Sequence, residues 1–365
     1  MTTSETDTSS TPNLPVEGAA MTDASSAPPD GGGEHLSGGG VTVPDRMGSA
    51  WDRLRHALDT YAGVGGVLVL LCVYLSFTQD IFFTWNNWLT ILEANAVVLV
   101  VAVGLTFVLL NGGIDLSLGG LMAVTGVVLA ELIGNGWSAW LAIVIVIAMA
   151  ALCGLLNGVL IGKVGLSFLV VTLGTGQAFR GIAQVRTGGQ TQSLFENDVI
   201  RRINEGELIG IPWLVWISLV VLGTGILVLR YTGFGRMVYA CGGNREAARL
   251  AGINVTAVAV TVFVIAGLLA GLAGLMDTSR LLGASPTAAT GVELTAAAAV
   301  LLGGTSFMGG RGTLLGTLLG VLFLGVLSNG ITLAGISPFW YGIVSGVVLI
   351  SAILLDRIRN GKAMA

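Results

Sequence analysis

"CGGNREAARLAGINV", residues 241–255, is a polar island between two apolar runs, 211–230 and 255–276. Each run has about the 20 residues that a helix needs to cross roughly 30 Å of hydrocarbon. The island does not. Asn244 is a good helix N-cap, Arg245 to Ala251 are mostly strong helix formers, and Gly252 suits the left-handed residue that closes a helix. The segment therefore reads as a two-turn helix, capped at both ends and far too short to span. Ala247, Leu250 and Ala251 share one face, and Arg245 and Arg249, four apart, share another. Such a surface suits either docking into a groove of another protein or the plain linking of two spans at the membrane interface.

Outward from this island the chain is apolar in both directions. It has 365 residues, 53% hydrophobic and 10% charged, with a mean hydropathy of +0.85. A soluble domain carries about 25% charged residues, so this composition points to an all-α polytopic membrane protein. Ten candidate spans follow: 60–78, 90–110, 115–134, 138–161, 167–184, 211–230, 255–276, 293–309, 313–333 and 339–355. The eighth is short and glycine-interrupted, and reads as broken or only partly inserted. Residues 1–48 are rich in Ser, Thr, Pro, Gly and Asp, with too few apolar residues to fold. They read as a disordered cytoplasmic tail ahead of a membrane domain at 49–365, and they lack the basic start and apolar stretch of a signal peptide.

Orientation follows from lysine and arginine. Ten spans put both termini on one side, together with Arg46, Arg53, Arg55, Lys163, Arg230, Arg236, Arg245, Arg249, Arg311, Arg357, Arg359 and Lys362. Arg186, Arg201, Arg202 and Arg280 fall opposite. Twelve against four makes the termini and the island cytoplasmic, and the 185–210 loop external. The expected location is the inner (plasma) membrane, with lipid as surroundings. The net charge of −4 is mild, and no basic tract suits nucleic acid. Cys72, Cys153 and Cys241 have no metal-ligand spacing, and neither do His35 and His56. No catalytic constellation stands out. The 55 glycines fit close helix packing, above all in "GTLLGTLLG" from Gly312 to Gly320 and at Gly267 and Gly271.

Two ionisable residues stand out within the runs. Asp115 reads either as the N-cap of its span or as a gate or pathway group at an unwound helix. Arg180, inside a span, needs a carboxylate or a route to the surface, with Glu93, Asp115 and Glu293 as possible partners. Trp137, Trp140, Trp213, Trp216 and Trp340 sit near span ends as interfacial anchors.

"EAARLAG" resembles the EAA loop of ABC importer permeases, with Glu246, Ala247, Ala248 and Gly252 in the pattern positions. "GRMVYACGGNREAARLAGINV" at 235–255 resembles the ribose/xylose-type monosaccharide branch. So do "NGGIDLSLGG" at 111–120, where Asn111 replaces the usual Thr, the stretch 154–190, and "ELTAAAAVLLGGTSFMGGRGTLLGTLLG" at 293–320, where Thr295 replaces the usual Asp. The resemblance covers about residues 80–355. It implies that Asn244, Arg245, Glu246, Ala247, Ala248, Arg249 and Gly252 form a cytoplasmic coupling helix docking on an ATP-binding subunit.

The same resemblance implies a homodimeric permease that moves a monosaccharide by alternating access, fed by an extracytoplasmic sugar-binding protein. This chain would bind no cofactor itself; ATP and Mg would be used by the partner ATPase. "IGKVG" at 161–165 lacks the Ser/Thr and earlier glycine of a phosphate loop. Candidates for the path or gate are Asn111, Asp115, Asn157, Thr172, Gln177, Glu293, Thr305 and Ser306, with Thr175 beside them. The neutral ones among these equally suit ordinary interhelix hydrogen bonding. Rival readings are an ABC permease for branched-chain amino acids or nucleosides, an ion-coupled secondary transporter using Asp115, and a membrane-embedded enzyme. The secondary transporter leaves the EAA-like helix unexplained, and the absence of a catalytic constellation disfavours the enzyme.

Overall fold

The computed structural model describes residues 50–361 apart from Pro338, and side chains between residues 63 and 354. The tail expected at 1–48, with His35 and Arg46, lies outside the described residues, as does Lys362. The side chains of Arg53, Arg55, His56, Arg357 and Arg359 lie outside them too.

The chain runs α1 (Ala50–Thr78), α2 (Trp85–Leu110), α3 (Leu118–Gly134), α4 (Ala139–Gly162) and α5 (Phe168–Thr187). A polar excursion follows with β1 (Gln192–Ser193), α6 (Asp198–Glu205), β2 (Glu207–Leu208) and β3 (Ile211–Pro212). Then come α7 (Trp213–Tyr231), α8 (Gly233–Gly243), α9 (Arg245–Leu250) and α10 (Val255–Leu281). After β4 (Gly283–Ala284) the chain closes with α11 (Val292–Leu302), α12 (Leu314–Leu333) and α13 (Trp340–Gly361). The ten expected spans correspond to α1–α5, α7 and α10–α13. Of these, α2, α4, α7, α10 and α12 are long and apolar enough to cross a membrane by length and composition.

Helix α2 forms the centre. It is buried almost continuously from Ala96 to Leu110, as befits a helix apolar on every side. Helix α10 packs on it and on α4. Glycines permit that approach: Gly154 and Gly158 of α4 rest against the backbones of Phe263 and Val260, and Gly267 of α10 rests against Ala150 and Gly154. In the α12 glycine row, Gly316 lies on Gly303, just past the end of α11, and Gly320 on Ala299 of α11. Both glycine rows thus serve helix packing, where small residues let backbones meet.

Two spans differ from expectation. The span expected at 115–134 becomes helical only at Leu118, because the Gly112–Gly113 pair and Asp115 interrupt it. The span expected at 293–309 ends as a helix at Leu302, where Gly303 and Gly304 stop it. With 17 and 11 residues, α3 and α11 reach about 25 Å and 16 Å at 1.5 Å per residue. Both fall short of the roughly 30 Å of a hydrocarbon core.

The two short helices are counterparts. Helix α2 runs toward the end of the bundle that holds α9, since the Gly310 N–H donates to the Leu110 carbonyl at 2.9 Å and Gly242 packs there. Helix α10 starts beside α9 and runs away from it to β4, which pairs antiparallel with β1 at the opposite end. Each long helix is followed by a non-helical segment, 111–117 or 282–291, and then by a short helix. The N-termini of α3 and α11 meet inside the bundle, where the Glu293 carboxylate and the Ala289 carbonyl press on Gly119. From there α3 runs to the β1–β4 end, with Gly126 against Thr278 and Ala284, and α11 runs to the α9 end. Discontinuous helices related by inverted topology are a device of membrane transport folds.

Candidate functional site

The polar island folds as its residues dictate. The Asn244 side chain accepts the Ala247 N–H at 2.9 Å and so caps α9. At the other end Gly252 takes φ of +81°, which a side chain would strain. The Ile253 N–H reaches the Ala248 carbonyl and the Gly252 N–H reaches the Arg249 carbonyl, each at 3.0 Å. That pair of bonds is the Schellman closure. Ala248 is the only buried residue of α9. Ala247, Leu250 and Ala251 all face outward, and Leu250 is 82% exposed. Arg249 pairs with Glu246 at 3.1 Å on the surface. The face expected for docking is therefore presented and uncovered by this chain.

Behind α9 lies a junction of bare backbones. Gly242, at the end of α8, leaves no room for a Cβ against the Leu110 carbonyl and the Gly310 N–H. Gly310 packs on Gly243, with 2.7 Å available to a Cβ, and Gly309 packs on Gly112, with 2.8 Å available. Three chain segments therefore touch without an intervening side chain. They are the base of α9, the start of the 111–117 segment, and the 303–313 loop between α11 and α12. Asn111 and Thr305 border this junction. Asn111 Oδ1 and Thr305 Oγ1 are buried without a hydrogen-bond partner. The Ser306 N–H bonds the Arg311 carbonyl at 2.8 Å, and the Met308 N–H bonds Ser306 Oγ at 3.2 Å, holding the loop's turn.

Deeper in the bundle, Asp115 is buried to 1% exposure. Its Oδ1 accepts from the Ser117 N–H at 2.9 Å and the Ser117 hydroxyl at 2.6 Å. Asn157 of α4 donates to that hydroxyl at 2.9 Å, while Asn157 Oδ1 has no partner. Asp115 thus binds the turn that starts α3, from three residues ahead of the helix. It lies ahead of the helix in an Asx turn, while Ser117 holds the N-cap position itself. Glu293 sits in the first turn of α11 against Gly119 of α3. It stands between two helix N-termini, where negative charge is favoured. Its Oε2 has no hydrogen-bond partner.

The Arg180 guanidinium donates to the Thr290 hydroxyl and acts on Glu293 electrostatically. The remaining candidates diverge. Thr172 is fully buried with its hydroxyl on the Phe168 carbonyl at 2.8 Å, and Thr175 bonds Val171 in the same way. Both satisfy their own helix. Gln177 is exposed on the outer face of α5, away from Asp115 and Asn157. Sequence reasoning missed Ser117, which joins Asp115 to Asn157, and the glycines of the junction. Their signal was present as the pairs Gly112–Gly113, Gly242–Gly243 and Gly309–Gly310, each at the edge of an apolar run.

Residues 87–353 match the family described as branched-chain amino acid transport system / permease component. The chain is 41% identical over 294 residues to the ribose import permease of Escherichia coli (strain K12), covering 80% of this chain and 91% of that one. It is 43% identical over 313 residues to the ribose import permease of Bacillus subtilis (strain 168), covering 85% and 95%. It is 35% identical over 302 residues to the D-allose transport system permease of Escherichia coli (strain K12), covering 82% and 92%. No solved structure matches it.

Proposed function

The chain belongs to the family of branched-chain amino acid transport system permease components, and from that premise we propose that it is the membrane-spanning subunit of an ATP-driven importer for a monosaccharide, a pentose such as ribose or xylose first among them. Relatives named for ribose and allose transport support the substrate class. The observation that carries the coupling reading is α9: a helix capped at both ends, with an outward apolar face and a backbone junction directly behind it.

In this reading the α9 end is cytoplasmic, as are both termini, and the β1–β4 end receives sugar from an extracytoplasmic binding protein. An ATP-binding subunit docks on Ala247, Leu250 and Ala251, with Asn244, Arg245, Glu246 and Arg249 around them. ATP is hydrolysed there with Mg as the ATPase's cofactor, and this chain binds neither. Closure of two such subunits pushes α9 of each of two copies. Gly242 and Gly243 pass the displacement to the 111–117 segment and the 303–313 loop, because contact between backbones leaves no soft side chain to absorb it. Those segments lead to the α3 and α11 N-termini, where the bundle is discontinuous. The permease lowers no chemical barrier; it couples two conformations to the state of the ATPase. The family's description favours one other reading, a branched-chain amino acid substrate.

Co-purification tests the assembly. The tagged chain, extracted in mild detergent, is expected to carry a stoichiometric ATP-binding protein that is lost with Glu246→Lys. A pure homo-oligomer free of ATPase would sink the importer reading. Uptake of labelled ribose against leucine, in vesicles holding the complex, separates the two substrate classes.

A further inference from the structure

A groove of about 400 Å³ lies between α2, the N-terminal turn of α11, α12 and α13. That volume is at the lower end of small-molecule sites, roughly 300–1,000 Å³. Its polar lining includes Thr90 and Asn95 of α2, Thr290 and Thr295 around the start of α11, and Ser328 and Thr332 of α12. None of its described lining residues carries a charge. Thr90 and Thr332 lie at the end opposite α9, in an early turn of α2 and the last turn of α12. Thr295 lies at the interior N-terminus of α11. The groove therefore leads from the β1–β4 end of the bundle to the point where the two broken helices meet.

Its chemistry selects an occupant. The Thr90 and Thr332 hydroxyls donate to Asn86 and Ser328 carbonyls at 3.0 Å each, which leaves their oxygen lone pairs to accept. Asn95 spends one N–H on the Ile91 carbonyl at 2.7 Å and keeps its other N–H and its carbonyl oxygen. The Tyr341 hydroxyl lies beside the Thr295 side chain. Asn329 is locked to Asn87 by reciprocal amide bonds of 2.8 and 3.1 Å, which fixes one wall. Lipid tails would leave the remaining lone pairs and the second Asn95 N–H unpaired at a cost in free energy. Two other grooves differ. One is lined mainly by Ile226, Leu229 and Leu314 beside Arg230, the other by Trp140, Ile203 and Trp213 beside Arg202. Those fit acyl chains better than a polar solute.

We propose that the α2–α11–α12–α13 groove is a binding station for a neutral polyhydroxylated solute of monosaccharide size on its way in from the β1–β4 end. This rests on the importer reading above and adds to it the place and the residues. A solute whose hydroxyls both donate and accept matches a lining that does both, and a charged amino acid does not.

The experiment has two arms on the complete transporter in vesicles. In the first, the wild type is offered labelled D-ribose and D-xylose with ATP. Failure to take up either overturns the importer reading and the station with it. In the second, Ser328→Cys and, separately, Thr332→Cys are exposed to a membrane-impermeant thiol reagent, with the wild type and its three cysteines as background. We expect reaction above background, slowed at least about fivefold by a saturating amount of the transported sugar. Absence of reaction at both positions means that lipid or a second copy covers the groove, and overturns the station while the importer stands. Reaction that sugar leaves unchanged overturns it equally. In the uptake assay Thr295→Val, which keeps the shape and removes the hydroxyl, is expected to raise the half-saturating sugar concentration about tenfold.

Discussion

The two ends of this bundle are built on opposite plans. At the α9 end, Gly112, Gly242, Gly309 and Gly310 bring three segments into contact with no side chain between them. At the other end, α2, α12 and α13 stand apart around a groove of about 400 Å³ fringed by hydroxyls and amides. The first arrangement has no slack, so a push on one segment is felt by its neighbours. The second has room and unspent hydrogen-bonding capacity, so it can hold something that comes and goes. Between them lie the interrupted segments 111–117 and 282–291, where a bundle of otherwise continuous helices can change shape most cheaply. A transporter needs one end stiff and the other accommodating, and the difference is written chiefly in where glycine replaces threonine and asparagine.

The sharpest way to break this contrast is to add one methyl group at the stiff end. Gly242→Ala places a Cβ where the Leu110 carbonyl already sits. Overpacking of this kind costs about 1–3 kcal/mol. We expect uptake to fall more than tenfold and thermal stability to drop. The same change at Gly243, whose Cβ direction is open, is expected to leave both near wild type. Equal effects from the two would show that the junction transmits nothing specific.

A smaller effect is expected at the far end of α9. Gly252→Val forces a β-branched residue into φ of +81°, at about 1–3 kcal/mol of local strain. The Cβ meets open space, so the cost falls on α9 alone. Stability of the purified chain should change little, because α9 contributes one buried residue. Binding of the ATP-binding subunit should weaken several-fold, measured by pull-down at graded concentrations.

At the interior meeting point Asp115→Ala removes the acceptor that holds the Ser117 N–H and hydroxyl, hydrogen bonds worth about 0.5–1.5 kcal/mol each. Asp115→Asn keeps an acceptor oxygen at that place. We expect Ala to lower the melting temperature measurably and Asn to restore most of it while uptake persists. Loss of uptake with Asn at full stability would instead assign Asp115 the gate role that the sequence left open.

How much of this was legible in the residues depends on the distance over which the signal acts. The spans and the capped island follow from local runs, so ten helices and both ends of α9 could be read from the residues alone. The start of α3 at Leu118 and the end of α11 at Leu302 were harder. Asp115 carries a cap signal, but a three-residue lead onto the helix is set by the Asp115–Ser117 turn, not by composition. Asp115, Ser117 and Asn157 could not be assembled at all, because their contact spans 40 residues of chain. The groove was missed for a related reason. Thr90, Asn95 and Ser328 are spaced within their helices like ordinary packing residues, and only the crossing of α2 with α12 turns them toward one space. That Gln177 faces outward from α5 was equally hidden, because polarity inside an apolar run says nothing about which way a residue faces.

The smallest expected effect separates holding the fold from serving the partner. Arg249 pairs with Glu246 at 3.1 Å, with 60% and 68% of the two side chains exposed. Pairs so exposed contribute about 0.2–1 kcal/mol and are screened by salt. Arg249→Gln should therefore move the melting temperature barely at all. If the α9 surface is a docking face, both side chains are desolvated against the ATP-binding subunit, and loss of one leaves the other charge unpaired at a buried interface, a far larger cost. ATPase stimulation by the loaded binding protein should then fall several-fold in Arg249→Gln, and recover in part when Glu246→Gln removes the stranded charge. An unchanged ATPase response in the single variant would leave α9 as a linker between α8 and α10, and the stiff junction behind it with nothing to transmit.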